Sequence, residues 1–269
     1  MRKTLITLMA LTGVATAASG DVILSQDFRN TGKLITISKG QSGTYDNVTW
    51  LAGAYNNKST GIAFGANGMY VQGQNWNKSW ASTTLDTALT MGVEASYEVS
   101  YTMTPGGKSG AMNFALVGTG ADDAVYSLVF GTGYQDSPNF QVGYLTQDIT
   151  SAGSFKSFES GLTTLTGIDT TTTAPKLHEY NGSYTVDMVL TNGNVAIEVA
   201  YGDKTYTNTY AYSLPENFSF NKLVYMFDGA DNTGASALQS VSVSTTPEPT
   251  TATLSLLARA GLAARRRRK

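Results

Sequence analysis

The sequence contains no cysteine and a single histidine, His178, in 269 residues. The missing cysteine excludes disulfide frameworks, thiolate zinc sites, iron–sulfur clusters and cysteine nucleophiles. One histidine excludes a multi-histidine metal centre built within one chain. Proline is scarce, at six residues, and charged side chains make up only 14 % of the chain. No stretch sustains the 3.6-residue apolar period of a helix. No Walker loop occurs, and no Gly-x-Gly-x-x-Gly follows a strand, so nucleotide binding is not indicated. His178 has no Gly-x-Ser-x-Gly partner, which makes it an exposed or capping residue rather than part of a triad.

Charge is unevenly placed. Eight of the 18 basic residues lie at the ends: Arg2, Lys3, Arg259, Arg265, Arg266, Arg267, Arg268 and Lys269. The body from Ala18 to Thr246 keeps ten bases against nineteen acids. An acidic body with isolated bases has no stripe to lay on a phosphate backbone, so nucleic acid is excluded as a partner.

What is abundant is aromatic and β-forming: 15 Tyr, 10 Phe and 28 Gly, with Val- and Thr-rich runs separated by Gly, Asn and Asp. Residues 96–104 place Tyr97, Val99, Tyr101 and Met103 on one face and Ser96, Glu98, Ser100 and Thr102 on the other. That is a strand with one face buried and one wet. Tyr184, Val186, Met188 and Leu190 repeat the pattern. The turns Asn192-Gly193 and Gly202-Asp203 join three such runs between Tyr184 and Tyr212 into an antiparallel meander. Further strands are expected at 22–28, 34–38, 48–52, 62–64, 69–72, 111–117, 126–130, 140–144, 223–228 and 238–244. Residues 41–47 and 56–59 read as polar turns, and the Thr-rich run Gly161–Lys176 as a surface excursion. About fourteen strands in one body predict an all-β, two-sheet antiparallel jelly-roll sandwich.

The meander Tyr184–Tyr212 and the final strand Leu238–Ser244 resemble the concanavalin A-like, laminin-G-type lectin/glucanase sandwich. The resemblance implies that the last strand returns beside the first, Val22–Phe28, and that the meander is the central three strands. Hydrolases of that family carry a Glu-x-Asp-x-x-Glu strand, which sets two carboxyls on one face. This sequence has no two acids spaced two residues apart, so the resemblance implies a non-catalytic member and no catalytic residue is assigned.

Two segments carry binding chemistry. Gln74-Asn75-Trp76-Asn77-Lys78-Ser79-Trp80 interleaves two indoles with amides in a stretch that reads as too polar for a core strand. An indole face stacks on the apolar face of a pyranose while amides read its hydroxyls, so Trp76, Trp80, Asn75, Asn77 and Gln74 form the candidate carbohydrate site. The same indoles could instead fold inward over the sandwich edge. Tyr134, Asp136 and Asn139, with Trp50 and Tyr55, are secondary candidates. Asp228, Asp231 and Asn232 lie in a Gly-rich turn whose hard oxygens suit Ca2+, although the same residues serve any tight loop. Ca2+ is the one cofactor indicated.

Both ends read as addresses. Met1-Arg2-Lys3, the apolar run Leu5–Val14 and Ala15-Thr16-Ala17 form the three parts of a secretory signal peptide, residues 1–17. Residues 247–269 open on Pro247-Glu248-Pro249, continue through an apolar run and end in Arg265–Lys269. This order resembles the PEP-CTERM sorting signal of Gram-negative bacteria. It implies an exosortase-type membrane peptidase and signal peptidase as partners during export, and a cell-surface or extracellular destination. The expected function is a secreted, non-catalytic carbohydrate-binding or adhesive module; a structural envelope or matrix protein and a polysaccharide hydrolase are the alternatives. The apolar run, Thr251–Ala264, holds 14 residues and is broken by Arg259, whereas a spanning helix needs about 20. Removing that charge is expected to hold the segment in the bilayer. Fractionation of cells expressing Arg259→Leu should therefore find more unprocessed protein in the inner membrane than wild type; equal fractions would refute this.

Overall fold

The computed structural model describes residues 20–30, 32, 34–73, 77–92, 95–105, 110–120, 123–132, 140–151, 162–164, 182–216, 218–229 and 236–246. The compact unit that carries the architecture is Val22–Thr245, and residues 1–21 and 246–269 fall outside it. Its elements in chain order are β1 Val22–Asp27, β2 Ile35–Ser38, β3 Ser42–Tyr45, β4 Val48–Ala54, β5 Ser59–Gly65, β6 Gly68–Gly73, β7 Asn77–Thr90, β8 Ser96–Thr104 and β9 Gly110–Thr119. They continue with β10 Val125–Thr132, β11 Phe140–Leu145, one 3-10 turn at Ile149–Ser151, β12 Thr163–Thr164, β13 Tyr184–Thr191, β14 Asn194–Tyr201, β15 Lys204–Ala211, β16 Ser219–Gly229 and β17 Ala237–Thr245. No helix among the described residues is long and apolar enough to cross a membrane.

The strands form two antiparallel sheets. Sheet I runs β15-β14-β13-β8-β17-β6-β5-β2, with β1 also pairing β17. Sheet II runs β12-β11-β10-β9-β16-β7-β4-β3. The all-β, two-sheet sandwich is thus as expected, and β17 lies beside β1, with Ser25 opposite Ser242 and Asp27 opposite Ser240. The β13–β14–β15 meander forms in the expected register, Leu190 opposite Val195 and Tyr201 opposite Lys204. It occupies the end of sheet I rather than its centre.

Three strands depart from the sequence expectation, one of them β12, which lies within the run read as a surface excursion and pairs β11 in sheet II. Residues 41–47 are not a simple turn: Ser42–Tyr45 is strand β3, and Asp46 and Asn47, at φ of 46° and 66°, close a hairpin to β4. Short Asp and Asn side chains tolerate that left-handed backbone, as two-residue hairpins require. The segment taken as too polar for a core strand opens β7, which runs 14 residues through sheet II. Ser79, Ser82 and Thr83 are buried there. Small hydroxyls achieve this by bonding locally: Ser79 pairs with the Ser59 hydroxyl, which donates to the Gln72 carbonyl at 3.2 Å, and Thr83 Oγ1 donates to the Thr49 carbonyl at 2.8 Å. A buried hydroxyl with a partner carries little penalty.

Between the sheets lies an aromatic-rich core. Phe28, just past β1, is fully buried and meets Trp50 edge-on at a ring separation of 5.2 Å, with Phe64 at 6.0 Å and Tyr45 at 6.1 Å. Trp50, a secondary sugar candidate from sequence, is 1 % exposed and belongs to this core, not to a surface site. Tyr101 stacks on Phe114 at 4.7 Å across the two sheets. Truncating Phe28 opens a void that the three rigid rings around it cannot fill, so Phe28→Ala should cost about 3–5 kcal/mol. Urea unfolding checks this; a loss below about 1 kcal/mol would show that the ring cluster collapses around the gap.

Candidate functional site

Sheet II is buried on both faces. Its inward residues Phe114, Leu116, Leu128, Phe130, Leu223, Tyr225 and Phe227 join the main core. The alternate residues Ala115, Val117, Val129, Val224 and Met226 form a second apolar cluster with Leu145 and Ile149 on the outer face. The chain after β11 folds back as a strap over this cluster. Ser127 Oγ donates to the Gln147 carbonyl at 2.8 Å, and Tyr55 OH donates to the Ile149 carbonyl at 3.0 Å. Tyr55 is therefore a strap anchor. Asp148 accepts from the Thr150 amide at 2.9 Å and hydroxyl at 2.7 Å, and pairs with Lys222 Nζ at 3.1 Å.

Beside the strap the outer face stays open as a groove of about 470 Å³. Its apolar lining is Ile23, Leu24, Val48, Leu51 and Trp80, and its polar lining includes Ser82, Thr84, Asp86 and Lys222. The shape follows from two backbone features. Strand β7 bulges between Thr84 and Leu89, where its pairing with β16 shifts, and this frees Asp86. Gly53 of β4 lies opposite Trp80, and a Cβ there would stand 2.0 Å from the indole Cζ2. The missing side chain is what lets the half-buried indole lie against β4. Trp80 thus has an apolar edge on the second cluster and a part-exposed surface toward hydroxyls.

Of the residues singled out by sequence, Trp80 is placed at this groove. The backbone of Asn77 begins β7 and that of Asp228 lies in β16, opposite Lys78 and Ala111. Gln74, Asn75, Trp76, Asp231, Asn232, Tyr134, Asp136, Asn139, His178 and Pro247, Glu248 and Pro249 lie outside the described residues. Asn77, Gly229 and Gly110 are direct ladder partners, so the Trp/Asn and Asp/Asn segments leave sheet II from adjoining strand ends. Among the described residues no group of three His, Cys, Asp or Glu side chains is placed to hold a metal.

Sequence reasoning found no acid pair, yet the β13–β14 register sets Asp187 opposite Glu198 on the outer face of sheet I. Only strand pairing brings these two together, which linear spacing cannot reveal. With Glu98 they line a second groove of about 540 Å³ among Ser and Thr side chains, and all three are exposed.

No protein-family model matches this chain, and no curated protein matches it. Solved structures similar to it include the Emp47p carbohydrate recognition domain, at 10 % identity and a TM-score of 0.43, covering 88 % of this chain and 100 % of that one. A legume lectin-like domain from Entamoeba histolytica is similar at 11 % identity and a TM-score of 0.43, covering 84 % and 98 %. A lectin from Bauhinia forficata in complex with GalNAc is similar at 12 % identity and a TM-score of 0.40, covering 83 % and 99 %.

The strap generates a pH prediction. Burial pushes the Asp148 carboxyl up, but the Thr150 hydroxyl and amide and the Lys222 ammonium together hold it below its ordinary 3.8. Because the folded value lies below the unfolded one, the carboxylate's contribution is complete above pH 3.8 and fades as pH falls through the lower, folded value. Asp148→Asn should therefore be less stable than wild type by about 1 kcal/mol at neutral pH. The two should converge in acid; a difference that persists undiminished there would detach the effect from the charge.

Proposed function

We propose that this chain is an exported, non-catalytic carbohydrate-binding or adhesive module, sorted to the cell surface by an exosortase-type system. The reading rests on Trp80. A half-buried indole, fixed by Gly53 and the apolar cluster, walls a groove in which hydroxyl, amide and charged side chains alternate with aliphatic ones. An apolar platform with a few convergent polar groups is what a pyranose requires. Trp76 and its amide neighbours Gln74, Asn75 and Asn77 extend that chemistry in the adjoining segment, and Asp228, Asp231 and Asn232 would supply the oxygens for Ca2+. A non-catalytic role is favoured because Asp187 and Glu198 stand exposed on the outer face of sheet I, where water is not excluded from them.

A second reading has its own support. The outer face of sheet I is a broad hydroxyl field, with Ser100, Thr102, Thr185, Thr207, Ser242 and Ser244 facing outward. Such a face suits a matrix protein displayed without a small ligand.

A glycan array probed with the full chain, with and without calcium, separates the two. A competable signal that falls about tenfold in a folded Trp80→Leu variant, and further with Trp76→Ala added, is the expected result. Trp80→Leu keeps apolar contact with the cluster while removing the stacking face. A blank array from folded protein would overturn the carbohydrate reading in favour of the matrix role. Undiminished binding by Trp80→Leu would move the site away from the groove.

A further inference from the structure

A sheet edge is a row of unpaired N–H and C=O groups, and natural folds shorten it, bulge it or charge it to keep other chains away. Sheet II ends on β3, of four residues, and on the two-residue β12. Sheet I ends at one side on β2, also of four residues, and the off-path strand β1 carries a bulge between Val22 and Leu24. The remaining edge is different. Strand β15 runs eight residues, pairs β14 without a register shift, holds no proline and carries no charge after Lys204. Among the described residues no strand pairs its far side.

The two-residue turn Gly202-Asp203 makes Tyr201 and Lys204 a hydrogen-bonded pair, so Tyr206, Asn208 and Tyr210 also direct their backbone bonds to β14. The Tyr212 amide, which donates to the Gly193 carbonyl at 2.9 Å, keeps the same alternation. Thr205, Thr207, Thr209 and Ala211 therefore turn their amides and carbonyls away from the sheet. All four are exposed.

This edge, Thr205-Tyr206-Thr207-Asn208-Thr209-Tyr210-Ala211, reads almost the same in both directions about Asn208. Two copies laid antiparallel with Asn208 on the two-fold axis set Thr207 opposite Thr209, Tyr206 opposite Tyr210 and Thr205 opposite Ala211. Each outward-turned residue then meets another outward-turned residue, and Asn208 meets itself at a position that exchanges no backbone bonds. Threonine pairs and aromatic pairs are among those that antiparallel neighbours favour. Charge fits as well. Glu198 lies opposite Thr207, and beyond it would come Thr209 and then Ala196 of the second copy, so no acid faces an acid across the join.

We propose that the free edge of β15 pairs antiparallel with β15 of a second copy about a two-fold axis at Asn208, which joins the two sheets I into one. The inference does not depend on the carbohydrate reading.

The test is sedimentation of the full chain, wild type and Thr207→Pro. The Thr207 amide points away from β14, so proline there removes a bond to the second copy and none within the sheet. Wild type should sediment as a concentration-dependent dimer, and Thr207→Pro as a monomer with an unchanged β-sheet circular dichroism spectrum. The chain has no cysteine, so a single introduced one reads the register. Asn208→Cys would place its two Cα atoms about 4.5 Å apart, within reach of a disulfide. The two copies of Thr205→Cys would lie about 20 Å apart. On oxidation Asn208→Cys should therefore form covalent dimers at least tenfold faster than Thr205→Cys, and this comparison decides the matter if proline unfolds the strand. A wild type that stays monomeric at high micromolar concentration would overturn the proposal. So would a dimer that survives in folded Thr207→Pro, or equal crosslinking of the two cysteine variants.

Discussion

The rest of the structure depends on the burial of sheet II from both sides. A sheet in a sandwich ordinarily turns one face to water and alternates accordingly. Here residues 114–117, 128–130 and 223–227 are buried without interruption, alternate side chains entering two different apolar clusters. The outer cluster would be an exposed sticky patch without its cover, and the strap from Leu145 to Ser151 supplies that cover. The groove lies beside the described part of the strap, whose Thr150 lines it together with Thr49 and Leu51 of β4. Trp80 stands at that boundary, which is why one side chain serves both packing and recognition.

This arrangement explains what was legible in the sequence. Strands β8 and β13 to β15 belong to sheet I, with a core face and a wet face, so their alternation and their Asn192-Gly193 and Gly202-Asp203 turns announce them. Strand β7 hides because half of its buried positions are filled by Ser79, Ser82 and Thr83, and the hydroxyls of Ser79 and Thr83 find local partners. Hydropathy counts those residues as polar and cannot see the partners. Strand β3 hides for a different reason: four residues are too few for a period, and only Tyr45 turns inward.

The site was half legible. An indole beside amides is visible in sequence, and Trp80 lies where such a group can act. Composition cannot separate an indole that faces solvent from one that faces a core, as Trp50 shows. Gly53 and Lys222 come from strands distant in sequence from β7, and register alone brings them to the groove beside Trp80.

The order of strands has a consequence for when this fold can exist. In sheet I, β17 is the only link between β8 with the meander and the β6-β5-β2 group, and in sheet II, β16 is the only link between β9 and β7. These are the last two strands of the body. A chain emerging from the ribosome N-terminus first therefore carries four half-sheets, none joined to its complement, until residues 219–245 have been made. Closure then comes as a late event involving both sheets at once. A polypeptide built this way has its two sheets unjoined through nearly all of its synthesis.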